Sequence, residues 1–577
     1  MRTFHRCGAL RFAFVAAIIL TSVHHELAFS GEEKRLSRRE AHRESPEDRF
    51  VPVDNAQMPR SPAFRIATSD FFSVQVNVDS EGNNIVGDAA NEPSIAIDPL
   101  HPERMAIGWR QFNTITNNFR QAGFGYSTNG GLNWRFPGVL EAGIFRSDPV
   151  FDSDADGNFY YNSLTSISGT YRCDVFRSTD GGATWGTGVV ANGGDKQWMT
   201  IDRSESIGRG NNYSFWTSYY SYCMPGSFTR SVNSAASFEP CVSVAGDPFW
   251  GTLATGPDGE LYVGGTGDTG IRVAKSTTAR DSTQAVVWDT VVAVNMDGDL
   301  VAFSQGTSPN PGGLHGQLWV AVDRSTHSTR GNVYVLASIG RLSVSDPLDI
   351  MFARSTDGGR TWSNPIRVND DAGTAAWQWF GTMSVAPTGR IDAVWLDTRD
   401  NPGLVNSSLY YSYSTNAGTS WSANERLSPS FDPHAGWPQQ NKMGDYFHMV
   451  SDSVSAHLAW AATFGGEQNV YYGRISPTLT GVTDEPLHDR LEFRLASNYP
   501  NPANPGTTIR FTIPRSSHVT LDIYNLLGEK IASLLSTRLN AGTHSARWDA
   551  SGVPSGVYFY RMEADDFVQT KRLVVVK

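Results

Sequence analysis

Apolar and polar residues alternate with a period of two in short runs along most of this chain. No long stretch carries the spacing of an amphipathic helix, so the pattern predicts half-buried strands. The first clear run is Phe71-Phe-Ser-Val-Gln-Val-Asn-Val78. From there one unit recurs: an opening strand, a turn, a second and more apolar strand, and a third strand. Opening strands are predicted at 92–98, 148–152, 197–202, 247–250, 317–323, 379–385 and 445–450. Second strands fall at 105–109, 159–161, 213–216, 261–263, 333–336, 391–395 and 457–460. The last unit ends near Ile475 without an obvious fourth strand, and the run at 71–78 is free to complete it. Such pairing would leave no exposed sheet edge.

Four third strands end in one short pattern: Ser127-Thr-Asn129-Gly-Gly131-Leu-Asn-Trp134, Ser178-Thr-Asp180-Gly-Gly182-Ala-Thr-Trp185, Ser355-Thr-Asp357-Gly-Gly359-Arg-Thr-Trp362 and Ser414-Thr-Asn416-Ala-Gly418-Thr-Ser-Trp421. The fifth-position Gly permits a tight turn at positive φ. The Asp or Asn and the Ser side chains accept backbone N–H bonds across that turn. The Trp buries a large ring between sheets. The pattern resembles the Asp box, or bacterial neuraminidase repeat, of the sialidase-like β-propellers. That resemblance implies that the boxes are structural clips at the blade rim, away from the central site. The unit length, roughly 50 to 70 residues, suits one four-stranded blade with its loops. The expected fold is all-β, a six- or seven-bladed β-propeller followed by a small Ig-like β-sandwich.

The flanks differ in texture. Arg2, Arg6 and Arg11 precede a short apolar run, and Ala28-Phe-Ser30 offers a small-residue cleavage site, so residues 1–30 read as a secretory signal peptide. Residues 31–70 are polar and charge-rich and read as a disordered leader or linker. The propeller is assigned to 71–475 and a second linker to 476–492. The stretches Leu495-Ala-Ser-Asn-Tyr-Pro-Asn-Pro-Ala-Asn-Pro-Gly-Thr-Thr-Ile-Arg-Phe-Thr-Ile-Pro514, Val519-Thr-Leu-Asp-Ile-Tyr-Asn-Leu-Leu-Gly-Glu-Lys530 and Ser555-Gly-Val-Tyr-Phe-Tyr-Arg561 together resemble the C-terminal sorting domain of the type IX secretion system, over 493–577. The resemblance implies secretion or display at the outer surface, with the type IX machinery as a partner.

Composition narrows the function. The 577 residues carry a formal charge of -11, which argues against nucleic acid and anionic membranes as partners. No segment beyond the signal is apolar enough for a stable membrane span in the mature chain. Of the 4 Cys, Cys7 belongs to the signal region. Cys223 and Cys241 flank a predicted hairpin and form the favoured disulfide, with Cys173–Cys223 as the alternative.

The candidate chemistry lies at the unit openings. The polar set there includes Glu92, Asp195, Asp247, Asp397 and Asp445, with Trp379 as a platform for a sugar face. The sialidase resemblance implies arginines that clamp a carboxylate, a Tyr nucleophile and an Asp acid/base. The matching residues are Arg110, Arg399, Tyr446 and Asp148; a third Arg is not assignable, and Arg110 or Arg399 can equally be a structural ion pair. Asp152-Ser-Asp154-Ala-Asp156-Gly has calcium-loop spacing without the distal Glu, so it reads either as a Ca2+ site or as a plain hairpin. No cofactor is required by anything else in the sequence. The functional expectation is recognition of glycan or extracellular polymer, with an exo-acting retaining sialidase as the alternative.

Overall fold

The computed structural model describes residues 48–477 and 493–577, apart from 303, 305–307, 402, 497, 499–500, 514, 540–541 and 566. The signal peptide, residues 31–47 of the leader and nearly all of the second linker lie outside the described residues. No helix among the described residues is long and apolar enough to cross a membrane. Two compact units result, divided near residue 478.

The N-terminal unit contains seven antiparallel sheets of three to five strands. Their innermost strands, in chain order, are Ala89–Ile97, Ser147–Ser153, Asp195–Ile201, Leu253–Thr255, Trp319–Val322, Gln378–Val385 and His448–Ser451. Each packs against the next, and the seventh packs against the first. The result is a closed ring of radial sheets, a β-propeller. The expected closure is present: Phe71–Gln75 pairs with Asn469–Ile475, so the last sheet takes its outer strands from the start of the chain.

One expectation is corrected at that seam. Residues 48–70 are not a disordered leader. Arg65–Ala67 extends the seventh sheet, and Arg60–Pro62 pairs with Asn83–Ile85. Phe64 stacks on Phe464 with ring centroids 4.1 Å apart, and Ile66 packs into the same core. Phe50 also meets Phe119 at 5.4 Å and Arg60 pairs with Asp79 at 2.7 Å; anchors this widely spaced among polar residues leave no periodicity to read.

The Asp boxes act as drawn from sequence. In the third, the Ser355 hydroxyl accepts the Gly359 N–H at 2.9 Å, and Asp357 accepts the Thr361 N–H at 2.9 Å. The box glycine has a second duty: a Cβ on Gly131 would stand 2.2 Å from the Tyr472 ring of the preceding sheet. A fifth box escaped the pattern. In Ser231-Val-Asn233-Ser-Ala235-Ala-Ser237-Phe238, Ser231 accepts from Ala235 N at 3.0 Å and Asn233 from Ser237 N at 3.0 Å. Ala235 takes the left-handed conformation there without glycine, at φ 62°. This third sheet has only three strands, and residue Val242 bridges to Phe228 beside them. The Cys223–Cys241 disulfide pins that segment, as favoured from sequence, and Cys173 is free and buried.

The C-terminal unit is a sandwich of a three-stranded and a four-stranded antiparallel sheet. Alternating residues such as Val519, Leu521 and Ile523 point into its core beside Tyr560, Met562 and Leu573.

Phe71 is buried on the closing strand and contacts Trp460 at 6.4 Å between centroids. Phe71→Ala is expected to lower the unfolding free energy of the propeller by about 3–5 kcal/mol, measured by urea denaturation. An unchanged midpoint would mean that the seam does not support the ring.

Candidate functional site

Every innermost strand is approached through a residue in the left-handed region: Glu92, Asp148, Lys196, Trp250, Gly316, Phe380 and Gly444. Five of these carry side chains that disfavour it, each costing about 1–3 kcal/mol. In four of the seven the pairing register shifts at this point, a bulge that re-aims side chains. On this upper face, where the innermost strands begin, they assemble a buried cluster of charge. Arg110 Nε lies 3.2 Å from Glu92. Lys196 Nζ lies 2.9 Å from Asp445, 3.1 Å from Asp195 and 3.5 Å from Asp148. Lys442 Nζ lies 2.8 Å from Asp445 and 3.6 Å from Glu92. Four acids thus face three bases, all buried. Burial pushes the Glu92 carboxyl well above the usual range, opposed by Arg110 and Lys442.

Two loops cover the cluster. Gln440 accepts from Arg110 at 3.2 Å, and Leu314 N–H donates to Asp445 at 2.7 Å. His315 follows, buried, stacked on Trp377, with Nε2 2.6 Å from the Ser308 hydroxyl and Nδ1 3.1 Å from the Val301 carbonyl.

Of the residues expected to act, Tyr446, Arg110, Asp148 and Asp445 are brought together here, and Glu92 and Asp195 join them. Their setting differs from the expected open pocket. Tyr446 is buried and donates its hydroxyl to the Pro149 carbonyl at 2.9 Å. Burial, with Glu92 and Asp148 nearby, drives its phenol pKa up, so ionisation is disfavoured. Arg399 and Asp397 stand apart from the cluster: they pair with each other at 2.9 Å, and Arg399 also holds Asp370 at 2.6 Å. This is the structural ion pair foreseen as the other reading. Trp379 cannot meet a sugar face, because it is buried and donates to the Ser407 hydroxyl at 3.0 Å. Asp247 is half-buried at another left-handed turn, φ 46°.

The calcium-loop reading is also corrected. Asp152 turns to the third sheet, accepting from Ile201 N at 2.8 Å and from Arg203 at 3.0 Å. Asp154 closes its own hairpin, accepting from Asn158 N and the Tyr160 hydroxyl, both at 2.9 Å. Asp156 is exposed. The three carboxylates diverge, and among the described residues no three metal-ligating side chains converge.

The lower face, where the innermost strands end, holds a cavity of about 430 Å³ on the axis. That size falls within the usual range of small-molecule sites, roughly 300–1,000 Å³. Its floor includes Trp198, Trp319 and His448: the tryptophans meet at 4.9 Å, Trp198 meets His448 at 5.2 Å, and Trp198 also meets Tyr446 at 5.2 Å. Arg203 and Arg324 line the wall. Neither belongs to a unit opening; both sit in the turns that follow the innermost strands.

Residues 497–576 match the model described as the Secretion system C-terminal sorting domain. The C-terminal sandwich is a sorting domain. It marks the chain for export to the cell surface or the medium, with the secretion machinery as its partner. No curated protein matches the chain. Among solved structures it is similar to a protein of unknown function from Dyadobacter fermentans, at 14% identity and TM-score 0.41, over 71% of this chain and 99% of that one. It is similar to Trypanosoma rangeli sialidase at 9% identity and TM-score 0.35, over 89% of each chain. It is also similar to PorZ, a surface component of the type IX secretion system of Porphyromonas gingivalis, at 10% identity and TM-score 0.27, over 89% of this chain and 87% of that one.

Burial lowers the His315 pKa to about 4. The unfolded chain therefore takes a proton that the native state refuses, and the stability conferred by neutral His315 is present above about pH 6.5 and lost as pH falls toward 4. Compared with His315→Gln, the wild type should lose about 1.4 kcal/mol per pH unit across that window. Urea midpoints of both proteins at pH 7 and pH 5 test this; parallel changes would refute it.

Proposed function

We propose that this is an exported propeller that recognises glycan or another extracellular polymer, with the lower axial cavity as its ligand site. The observation that carries the reading is that cavity: on the axis, open to solvent, floored by aromatic rings and walled by two arginines. Aromatic floors with a few polar groups on the wall are how small-molecule sites hold and orient a ligand. Binding is favoured over cleavage by the state of Tyr446. A phenol buried beneath covering loops, its hydroxyl engaged by Pro149, is not placed to attack a glycosidic carbon. The sorting domain supplies the setting in which such a receptor meets extracellular polymer.

Two measurements test the reading. The mature chain should bind members of a panel of soluble polysaccharides in titration calorimetry, and Trp319→Ala should weaken that binding by about 10-fold or more through loss of the floor. Equal binding by the variant would remove the cavity from consideration. In a producing cell, deletion of residues 493–577 should retain the propeller behind the outer membrane; continued appearance in the medium would contradict the sorting role.

A further inference from the structure

The turns after the third and fifth innermost strands are copies of each other. Trp198-Met-Thr-Ile-Asp202-Arg203-Ser204-Glu-Ser-Ile-Gly-Arg209-Gly210-Asn211-Asn-Tyr213 aligns with Trp319-Val-Ala-Val-Asp323-Arg324-Ser325-Thr-His-Ser-Thr-Arg330-Gly331-Asn332-Val-Tyr334. The hydrogen bonds are copied as well. Asp202 accepts from Ser204 N and Asp323 from Ser325 N, both at 2.8 Å. Gly210 N donates to Asp202 O and Gly331 N to Asp323 O, both at 2.8 Å. The Asp, Ser, Gly and Asn residues build the turn, and the second arginine clips onto an Asp-Gly hairpin of the preceding sheet: Arg209 on Asp156 at 3.7 Å, Arg330 on Asp258 at 3.4 Å. The first arginine contributes its side chain to neither task. Arg203 and Arg324 both project into the axial cavity.

The two copies differ in one respect. Arg203 reaches the Ser153 hydroxyl at 3.2 Å and the Asp152 carboxylate at 3.0 Å. Arg324 reaches the corresponding hydroxyl, Thr255 Oγ1, at 3.4 Å. The position that corresponds to Asp152 is Ala254, because Tyr160 pairs with Asp152 as Tyr262 pairs with Ala254. Arg324 is exposed, and no ion pair holds it among the described residues. The remaining acids on the cavity wall are engaged elsewhere. Asp98 accepts from Leu100 N at 2.8 Å and lies 3.8 Å from Arg104. Asp452 accepts from Ser455 N at 2.6 Å and is 3.0 Å from His457.

We propose that the lower axial cavity is a carboxylate receptor centred on Arg324, the ligand's carboxylate taking the place that Asp152 fills in the sister copy. A planar guanidinium fork matches a carboxylate bidentately. Thr255 stands ready to donate beside it, and the Trp198–Trp319 floor receives the apolar body of the ligand. Taken with the glycan reading, on which the identity of that body rests, the class of ligand is an acidic sugar of the uronate type.

The test titrates the mature chain with methyl glucuronide, with methyl glucoside as its neutral counterpart, and with acetate. The glucuronide is expected to bind about 10-fold or more tightly than the glucoside at low salt. Arg324→Gln should abolish that preference, and so should Ala254→Asp, which restores the internal carboxylate. Asp152→Asn, which frees Arg203, should increase it; a purely structural arginine would predict no gain. Glucoside and glucuronide binding equally, with the variants indifferent, overturns the carboxylate receptor and leaves the glycan reading standing. Acetate binding that depends on Arg324, with no gain from the sugar ring, keeps the receptor and overturns the glycan reading. Failure of all three probes to bind saturably overturns the receptor.

Discussion

The propeller depends on one antiparallel seam, the pairing of Phe71–Gln75 with Asn469–Ile475. Seven sheets that each bury both faces against neighbours have no stable intermediate with an open side: an unclosed ring leaves two sheet faces and two strand edges in water. Drawing the closing strand from the far end of the sequence makes closure a long-range event, so the ring orders as a whole. Phe64 on Phe464 and Phe71 near Trp460 supply apolar burial at that seam.

The upper face of the ring carries backbone strain. Four innermost strands shift register beside a left-handed residue, which re-aims their side chains. Once turned, Glu92, Asp148 and Lys196 lie away from water and must neutralise one another. A buried pair is rarely a large net gain over apolar packing, but loss of one partner is severe. The cluster therefore fixes which side chains meet at the axis more than it adds stability. The axial cavity lies at the other end of these strands.

Much of this was legible in the residues. Period-two alternation marked the strands, and the Ser-x-Asp/Asn-x-Gly-x-x-Trp boxes marked their hairpins. The run at 71–78 could be matched to the incomplete last unit because an unpaired edge is costly. The fifth box was missed because Ala235 and Phe238 replace Gly and Trp, although the hydrogen bonds survive in Ser231 and Asn233. The site was harder. Tyr446, Arg110 and Asp148 lie in one buried cluster, but nothing local announces that loops about 130 residues apart in sequence, carrying Asn310 and Met443, cover them. The Asp-Arg-Ser and Arg-Gly-Asn duplication was readable; recognising its role required knowing that the third and fifth sheets face one cavity.

Trp198 meets Trp319 and Tyr446 edge-on, and Trp319 stacks on His448, so a web of aromatic rings floors the lower cavity. On the proposed reading, a polymer that enters the lower cavity meets this floor and presents an end or a side branch to it. A receptor of that proposed kind counts ends rather than lengths: at equal mass, a sample cut into short chains would saturate it sooner than one of long chains.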